Sequence, residues 1–366
     1  MPAPAQDTGR RAAAAGFTRV ELVLLGAVAA VTLLAGVTRY AHGVSRIVAF
    51  VLATLALAGL AWMVALATEQ VGERLGPAGT GVLQSTVGNL PEFFVVLFAL
   101  NAGEQVVAET AILGSILVNA LLVLGLVIIA GARRASDGVM RFSPRLPNDT
   151  ATLLLVSSFI IVLIGLTHSS SDPASHHAKT ISIVGAIAIL IVYATWLRQY
   201  LTTPSTSEEP RGRPRLSIAT SATLLICAGT ASAFVSDWFV NALQPTIQTL
   251  HISQAFAGLV IVAIAGNAVE NVAGVVLAAK GRSDLAISVV KNSVAQIAAF
   301  LYPVLVLVSL LTTTALTFSL APVYIGALIG TAIIVWQITG DGEATTFEGT
   351  ALVAAFVILA TVAAFE

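Results

Sequence analysis

Charge is scarce in this sequence. Only 10% of its 366 residues are Asp, Glu, Lys or Arg, against about 25% in an ordinary soluble domain. A soluble fold would have to surround many consecutive uncharged segments with almost no polar surface, which sets that class aside. The net charge of -1 gives a nucleic-acid partner no electrostatic support. Cysteine is nearly absent. The single Cys227 excludes an internal disulfide and a multi-cysteine metal site, and its place in an apolar run marks it as a small core residue. The few histidines, His42, His168, His176, His177 and His251, fall at or near the ends of apolar runs. With neither paired Cys nor paired His, a soft-metal site has no ligands, and no resident cofactor is implied.

What the sequence does have is apolar length. Hydrophobic residues make up 57% of it and come in runs of roughly 20, enough to cross about 30 Å of hydrocarbon at about 1.5 Å per residue. The expected fold is an all-α polytopic membrane protein with eleven transmembrane helices. They lie near 20–38, 47–68, 80–100, 106–131, 150–167, 179–197, 217–236, 252–278, 285–309, 316–337 and 347–364. Residues 1–18 read as a disordered cytoplasmic tail. The run at 20–37 is long for a signal-peptide core and no convincing processing site follows it. Residues 19–40 are therefore expected to be an extra N-terminal helix. Pro204, Pro210 and Pro214 mark 199–216 as a cytoplasmic linker between two larger units, 45–198 and 217–366.

Basic residues test that count independently. With the N-terminus in the cytoplasm, fourteen of the 18 Lys and Arg fall on the inner side. Three fall outside (Arg39, Arg46 and Lys179), and Lys291 lies within a span. This is the positive-inside pattern. Lys291, about two turns into its helix, is expected to snorkel back to the cytoplasmic side. The expected setting is a prokaryotic plasma membrane, with the lipid bilayer as partner and the oligomeric state left open.

One pentapeptide occurs twice. Gly88-Asn89-Leu90-Pro91-Glu92 returns 178 residues later as Gly266-Asn267-Ala268-Val269-Glu270, and Gly103/Gly281 and Ser115/Ser293 keep the same offset. The copies lie in the third and eighth expected helices, an odd number apart, so they enter the membrane from opposite sides. The organisation expected is one N-terminal helix plus two inverted five-helix repeats. Such repeats share a site near the midplane and exchange conformations to give alternating access. Thr68-Glu69 and Ser236-Asp237, a hydroxyl residue followed by an acid, are expected to end the helix ahead of each motif.

Glu92 and Glu270 interrupt otherwise uncharged spans, and a carboxylate at mid-membrane costs roughly 2.5–3.5 kcal/mol even on a lenient insertion scale. If each motif is a continuous helix, Gly, Asn and Glu share one face. Asn then supplies a carbonyl oxygen, Glu a charged one, and Gly close backbone approach. Pro91 would kink its helix and free the carbonyl of Val87. Ser115, Asn119, Ser293 and Gln296 add oxygens from the following helices. Two carboxylates among neutral oxygens suit a hard cation such as calcium, which takes about six to eight oxygen ligands. Close carboxylates also repel, so they hold a divalent cation or protons. Glu69, Glu73 and Asp237 are expected near helix ends, as relay or gate groups. No Ser–His pair or metal-binding His cluster accompanies the intramembrane acids, which argues against an enzyme.

These motifs resemble the cation/proton exchangers of the calcium/cation antiporter superfamily. The resemblance rests on Ala67-Thr68-Glu69 with Leu75-Gly76-Pro77, on Gly88-Asn89-Leu90-Pro91-Glu92 followed by Phe98-Ala99-Leu100, and on Gly114-Ser115-Ile116-Leu117-Val118-Asn119. The second half adds Gly266-Asn267-Ala268-Val269-Glu270 and Asn292-Ser293-Val294-Ala295-Gln296-Ile297. It implies a secondary transporter that exports calcium in exchange for protons. Glu92 and Glu270 would be the central cation ligands, and Gly88, Gly266, Asn89, Asn267, Ser115, Asn119, Ser293 and Gln296 would shape the site. Three departures stand out. Leu90-Pro91 replaces the usual Ala-Thr and is similar to the sodium/calcium branch, so sodium stays open as the coupling ion. Asn271 stands where His is common, and Lys291-Asn292 replaces Leu-Gly.

Overall fold

Apolar segments become helices here because hydrocarbon offers backbone N–H and C=O groups no other partner. The computed structural model describes residues 16–41, 43–202 and 214–366, the side chains of 72–73, 75–86, 145–147, 200–201 and 269–270 excepted. Residues 1–15 of the expected tail and 203–213 of the expected linker lie outside the described residues, as does His42.

In chain order the helices are α1 (Arg19–Tyr40), α2 (Arg46–Val87), α3 (Leu90–Asn101), α4 (Gln105–Arg134), α5 (Arg145–Ser169) and α6 (Ala178–Thr202). They continue with α7 (Ile218–Leu250), α8 (Gln254–Gly266), α9 (Ala268–Ala279), α10 (Ser283–Leu311), α11 (Pro322–Thr339) and α12 (Thr346–Ala364). The protein is thus an all-α polytopic membrane protein. Among the described residues nine helices are long and apolar enough to cross a bilayer, or ten if the bent pair α8–α9 is one span. The segment expected as a separate third span, 80–100, is divided: its first part prolongs α2 and its last part is the 12-residue α3.

The offset of 178 governs the backbone as well. Both α3 and α9 have 12 residues, with bounds displaced by that offset, and α4 and α10 begin at positions displaced likewise. The two connecting turns are closed alike. Gly103 and Gly281 take left-handed φ of 81° and 77°, and Glu104 N donates to Ala99 O (2.8 Å) as Arg282 N does to Leu277 O (3.0 Å). Each following helix carries a π turn, Val118–Val123 in α4 and Ile297–Leu301 in α10.

Polar contacts in the loops and toward the ends of the expected apolar runs fall into two sets. One set gathers Arg215 with Glu21, Gln70 and Gly16, Ser143 with Asp284, and Asn148 with Gly340. It includes a two-stranded ribbon, β1 (Val139–Arg141) with β2 (Glu343–Thr345), antiparallel with Met140 opposite Ala344. The other set gathers Arg39 with Asp237, Arg46 with Thr246 and Thr313 with Leu100. Gln244 with Glu104 and Ser253 with Ala363 belong to it too.

Between these ends, small residues set the helix spacing, as van der Waals packing requires where lipid supplies no hydrophobic drive. A Cβ on Gly125 of α4 would lie 2.6 Å from the Gly349 carbonyl of α12, and one on Gly349 would lie 2.7 Å from the Gly125 carbonyl. A Cβ on Gly258 of α8 would lie 2.9 Å from the Val107 carbonyl of α4, and one on Gly114 of α4 would run into the backbone of Leu259.

Three expectations are corrected by this packing. Cys227 is exposed on α7, because an apolar run in a membrane protein can face lipid as readily as core. Neither Thr68-Glu69 nor Ser236-Asp237 ends a helix, since α2 and α7 continue well past them. Asp237 is accommodated inside α7 by Arg39 at 3.9 Å and by Asn241 Nδ2, which donates to it at 3.1 Å. Lys291 does not snorkel. It is 2% exposed, and its Nζ donates to Thr339 Oγ1 at 3.1 Å.

Candidate functional site

Two intramembrane acids need more than a helix to hold them, and the backbone supplies it by breaking. Helix α2 ends at Val87 and α3 starts at Leu90, so Gly88-Asn89 is a joint and Asn89 precedes the first turn. Helix α8 ends at Gly266 and α9 starts at Ala268, with Asn267 in the same role. The flanking helices of that second joint are bent by 58°. Both asparagines start their half-helix with the same bond: Phe93 N donates to Asn89 O (2.9 Å) and Asn271 N to Asn267 O (3.0 Å).

Glu92 and Glu270 therefore belong to the first turns of half-helices. There the unpaired N–H groups and the positive helix pole favour an anion by about 0.3–1 kcal/mol, up to about 2 when partly buried. This corrects the picture of Gly, Asn and Glu on one face of a continuous helix. It corrects the role of Pro91 too. Pro91 sits in the first turn of α3, where the absent N–H would have had no intrahelical partner. The second joint forms with Val269 in its place.

The side chain of Glu92 is 7% exposed and is met from two other helices. Ser115 Oγ of α4 donates to its Oε1 at 2.7 Å, and Asn267 Nδ2, at the second joint, makes a short bond to the same oxygen. Asn267 Nδ2 also lies 3.0 Å from Ser115 Oγ and 3.0 Å from Ala263 O, so two hydrogens are shared among three acceptors. Its Oδ1 accepts from Asn119 Nδ2 at 2.8 Å, which also reaches Ser115 O at 3.0 Å. Hydrogen bonds to a charged group contribute about 1.5–3 kcal/mol each. Two of them plus the helix pole are enough to offset the insertion cost. Gly266 makes room for this, because a Cβ there would lie 2.8 Å from Glu92 Oε1. The glycine of the second motif thus admits the acid of the first.

The structure brings Glu92, Ser115, Asn119, Gly266 and Asn267 into one network. Asn89, Ser293 and Gln296 are buried, and Gly88 stands at the first joint. Asn89 Nδ2 and Asn119 Oδ1 are buried with no hydrogen-bond partner among the described residues. The side chains of Glu270 and Glu73 lie outside the described residues. Of the other acids considered, Glu69 is exposed and Asp237 is engaged with Arg39. Their hydroxyl neighbours turn inward instead. Thr68 is 3% exposed and Ser236 fully buried, with Ser236 Oγ 3.5 Å from Pro91 O. The repeated hydroxyl–acid pair is the signal in the sequence that marks these two hydroxyls. No three His, Cys, Asp or Glu side chains gather to hold a metal among the described residues. Any cation here would meet carboxylate mixed with neutral oxygens.

Comparison with known proteins gives a consistent picture. The sodium/calcium exchanger protein family matches residues 45–198 and 220–365. A vacuolar calcium ion transporter of Schizosaccharomyces pombe is 30% identical over 321 residues, which cover 85% of this chain and 77% of that protein. A Ca(2+)/H(+) antiporter of Aphanothece halophytica is 28% identical over 329 residues, 85% of this chain and 88% of the relative. Among solved structures, native YfkE superposes with a TM-score of 0.77 at 25% identity, covering 94% of this chain and 99% of its own.

Proposed function

The chain belongs to the sodium/calcium exchanger protein family, and from that premise we propose that it is a Ca2+/H+ antiporter. It exports calcium from the cytoplasm against protons by alternating access, as a secondary active transporter and not an enzyme. Its relatives are named for calcium transport and Ca2+/H+ antiport. The observation that carries the reading is the network in which Glu92 of one motif is held by Asn267 of the other.

As arranged, hydrogens from Ser115 and Asn267 occupy Glu92 Oε1. A cation would take that oxygen from them, and Asn267 and Asn119 would then present amide oxygens to it. Hydrogen and cation compete for one carboxylate, and Glu270 is the second central ligand. Glu69, Glu73 and Asp237 remain candidates for relay or gate positions. Sodium as the coupling ion is the alternative, suggested by Leu90-Pro91.

We further propose eleven crossings, an N-terminal helix α1 and two inverted five-helix repeats, with 1–18 a cytoplasmic tail and 199–216 a cytoplasmic linker. The two sets of loop contacts support this. These bonds join inter-helix segments of the same parity in the eleven-span count, or, for Gly16, Glu21, Leu100, Ser253 and Ala363, a span end or terminal segment on the same side. Gln70 belongs to one set and Leu100 to the other, so the chain crosses between them even though no single long helix does so. Equal bounds of α3 and α9 at one offset support the repeat. The excess of Lys and Arg on the Arg215 side supports a cytoplasmic N-terminus, and the proposed setting is a prokaryotic plasma membrane.

Inverted vesicles holding the protein test the coupling. Calcium uptake should follow an imposed proton gradient. Uptake that answers only to a sodium gradient would transfer the chain to the sodium-coupled branch.

A further inference from the structure

Helix α10 carries a feature with no counterpart in α4. Lys291 is 2% exposed and Thr339 fully buried, and the Lys291 ammonium donates to Thr339 Oγ1 at 3.1 Å. The hydroxyl is free to accept because its own proton goes to Val335 O at 2.7 Å. Thr339 is the last residue of α11, where unpaired carbonyls and the negative helix pole favour a cation. At the matching offset α4 has Leu113, buried with 0% exposure and apolar. Among the described residues Lys291 is in no ion pair.

The direction of this bond matters. Successive helical residues are turned by about 100°, so Lys291 and Ser293 point about 160° apart around α10. Gln296 lies about 60° from Ser293 by the same count. The ammonium therefore fastens the back of the turn whose front carries Ser293 and Gln296. We propose that Lys291 is a positioning residue of the exchanger. By bonding to Thr339 it fixes α10 against α11 and so sets where the second-motif wall of the cation site stands. In a medium poor in competing partners a polar bond of this kind holds one geometry. The inference rests on the exchanger reading above.

The test is calcium exchange in vesicles at varied calcium concentration, with the amount of inserted protein measured for each variant. Lys291→Met and Thr339→Val should each raise the half-saturating calcium concentration by about tenfold, the worth of one charge-assisted hydrogen bond. Maximal rate per inserted molecule should stay within about threefold, because a lost position weakens cation binding and leaves the turnover steps intact. Thr339→Ser keeps the hydroxyl and should restore the wild-type value to within about twofold. The double variant should be no worse than either single one, since both remove the same bond. Overturning results are an unchanged half-saturation in Thr339→Val, a Thr339→Ser variant as impaired as Thr339→Val, or multiplicative effects in the double variant. Less inserted protein with unchanged half-saturation would make Lys291 a structural residue only and would also overturn it. Wild-type vesicles that fail to exchange calcium would instead bring down the functional reading itself.

Discussion

In the first motif region, α3 opens with Leu90-Pro91, Phe93 packs edge-on to Phe94 at 5.5 Å, and α4 presents Leu113 and Gly114. In the second, α9 opens with Ala268-Val269, and Asn271, Lys291 and Asn292 occupy the matching places. The backbones nevertheless break, turn and restart at positions related by one offset. The comparison separates two roles. Glycine and asparagine at the joint, with a left-handed glycine at the turn, decide where the chain breaks. The side chains around them decide what each region does. In the second region Asn271 and Asn292 each keep a buried amide oxygen with no partner among the described residues, whereas Phe93 and Gly114 offer none. At these matched positions the polar groups fall in the second region, around a backbone that repeats.

The comparison breaks most directly at the acids. Glu92→Gln should lower calcium exchange by on the order of 100-fold or more while insertion persists, because the charge made for the cation is gone. Glu270→Gln should match it. Vesicle flux measures both, and near-normal exchange in either would mean that the regions do not contribute equal ligands. Gly266→Ala comes next. Its Cβ would meet Glu92 Oε1 at 2.8 Å, so half-saturation should rise by about tenfold, in line with the cost of overpacking. Ser115→Ala removes one donor to Glu92 and should cost about fivefold in apparent affinity. Ser293→Ala, at the matching place, tells whether the second acid is held the same way. Pro91→Val is the smallest. It copies the second joint into the first, and exchange should stay within about twofold of wild type. A large loss would show that the proline shapes the first joint after all.

The motif pair, the offset and the basic-residue bias were legible in the chain, and they carried the membrane class and the membership of Glu92 in a polar network. The joints were legible only in retrospect. Asn before a helical segment is a cap signal, but inside a long apolar run it passes for one more residue of the span. Lys291 misled because snorkelling depends on whether a partner is near, and its partner Thr339 is 48 residues away in sequence. Cys227 misled because lipid and protein core are equally apolar, so hydropathy cannot tell the two faces of α7 apart. The inward places of Thr68 and Ser236 are not legible in the chain, since a hydroxyl carries no charge and its burial leaves no mark on hydropathy.

The small ribbon of β1 and β2 has a consequence for how the protein comes to be assembled. Its strands are tied side to side by Arg141 and Glu343, 202 residues apart. A chain delivered to the bilayer helix by helix presents β1 early and must leave its edge unpaired until α11 has been inserted. Contacts of such separation form late, after the cost of closing the intervening chain has been met. The ribbon is then a marker of completion: a truncated or stalled chain would leave β1 unpaired, and a full one would pair it with β2.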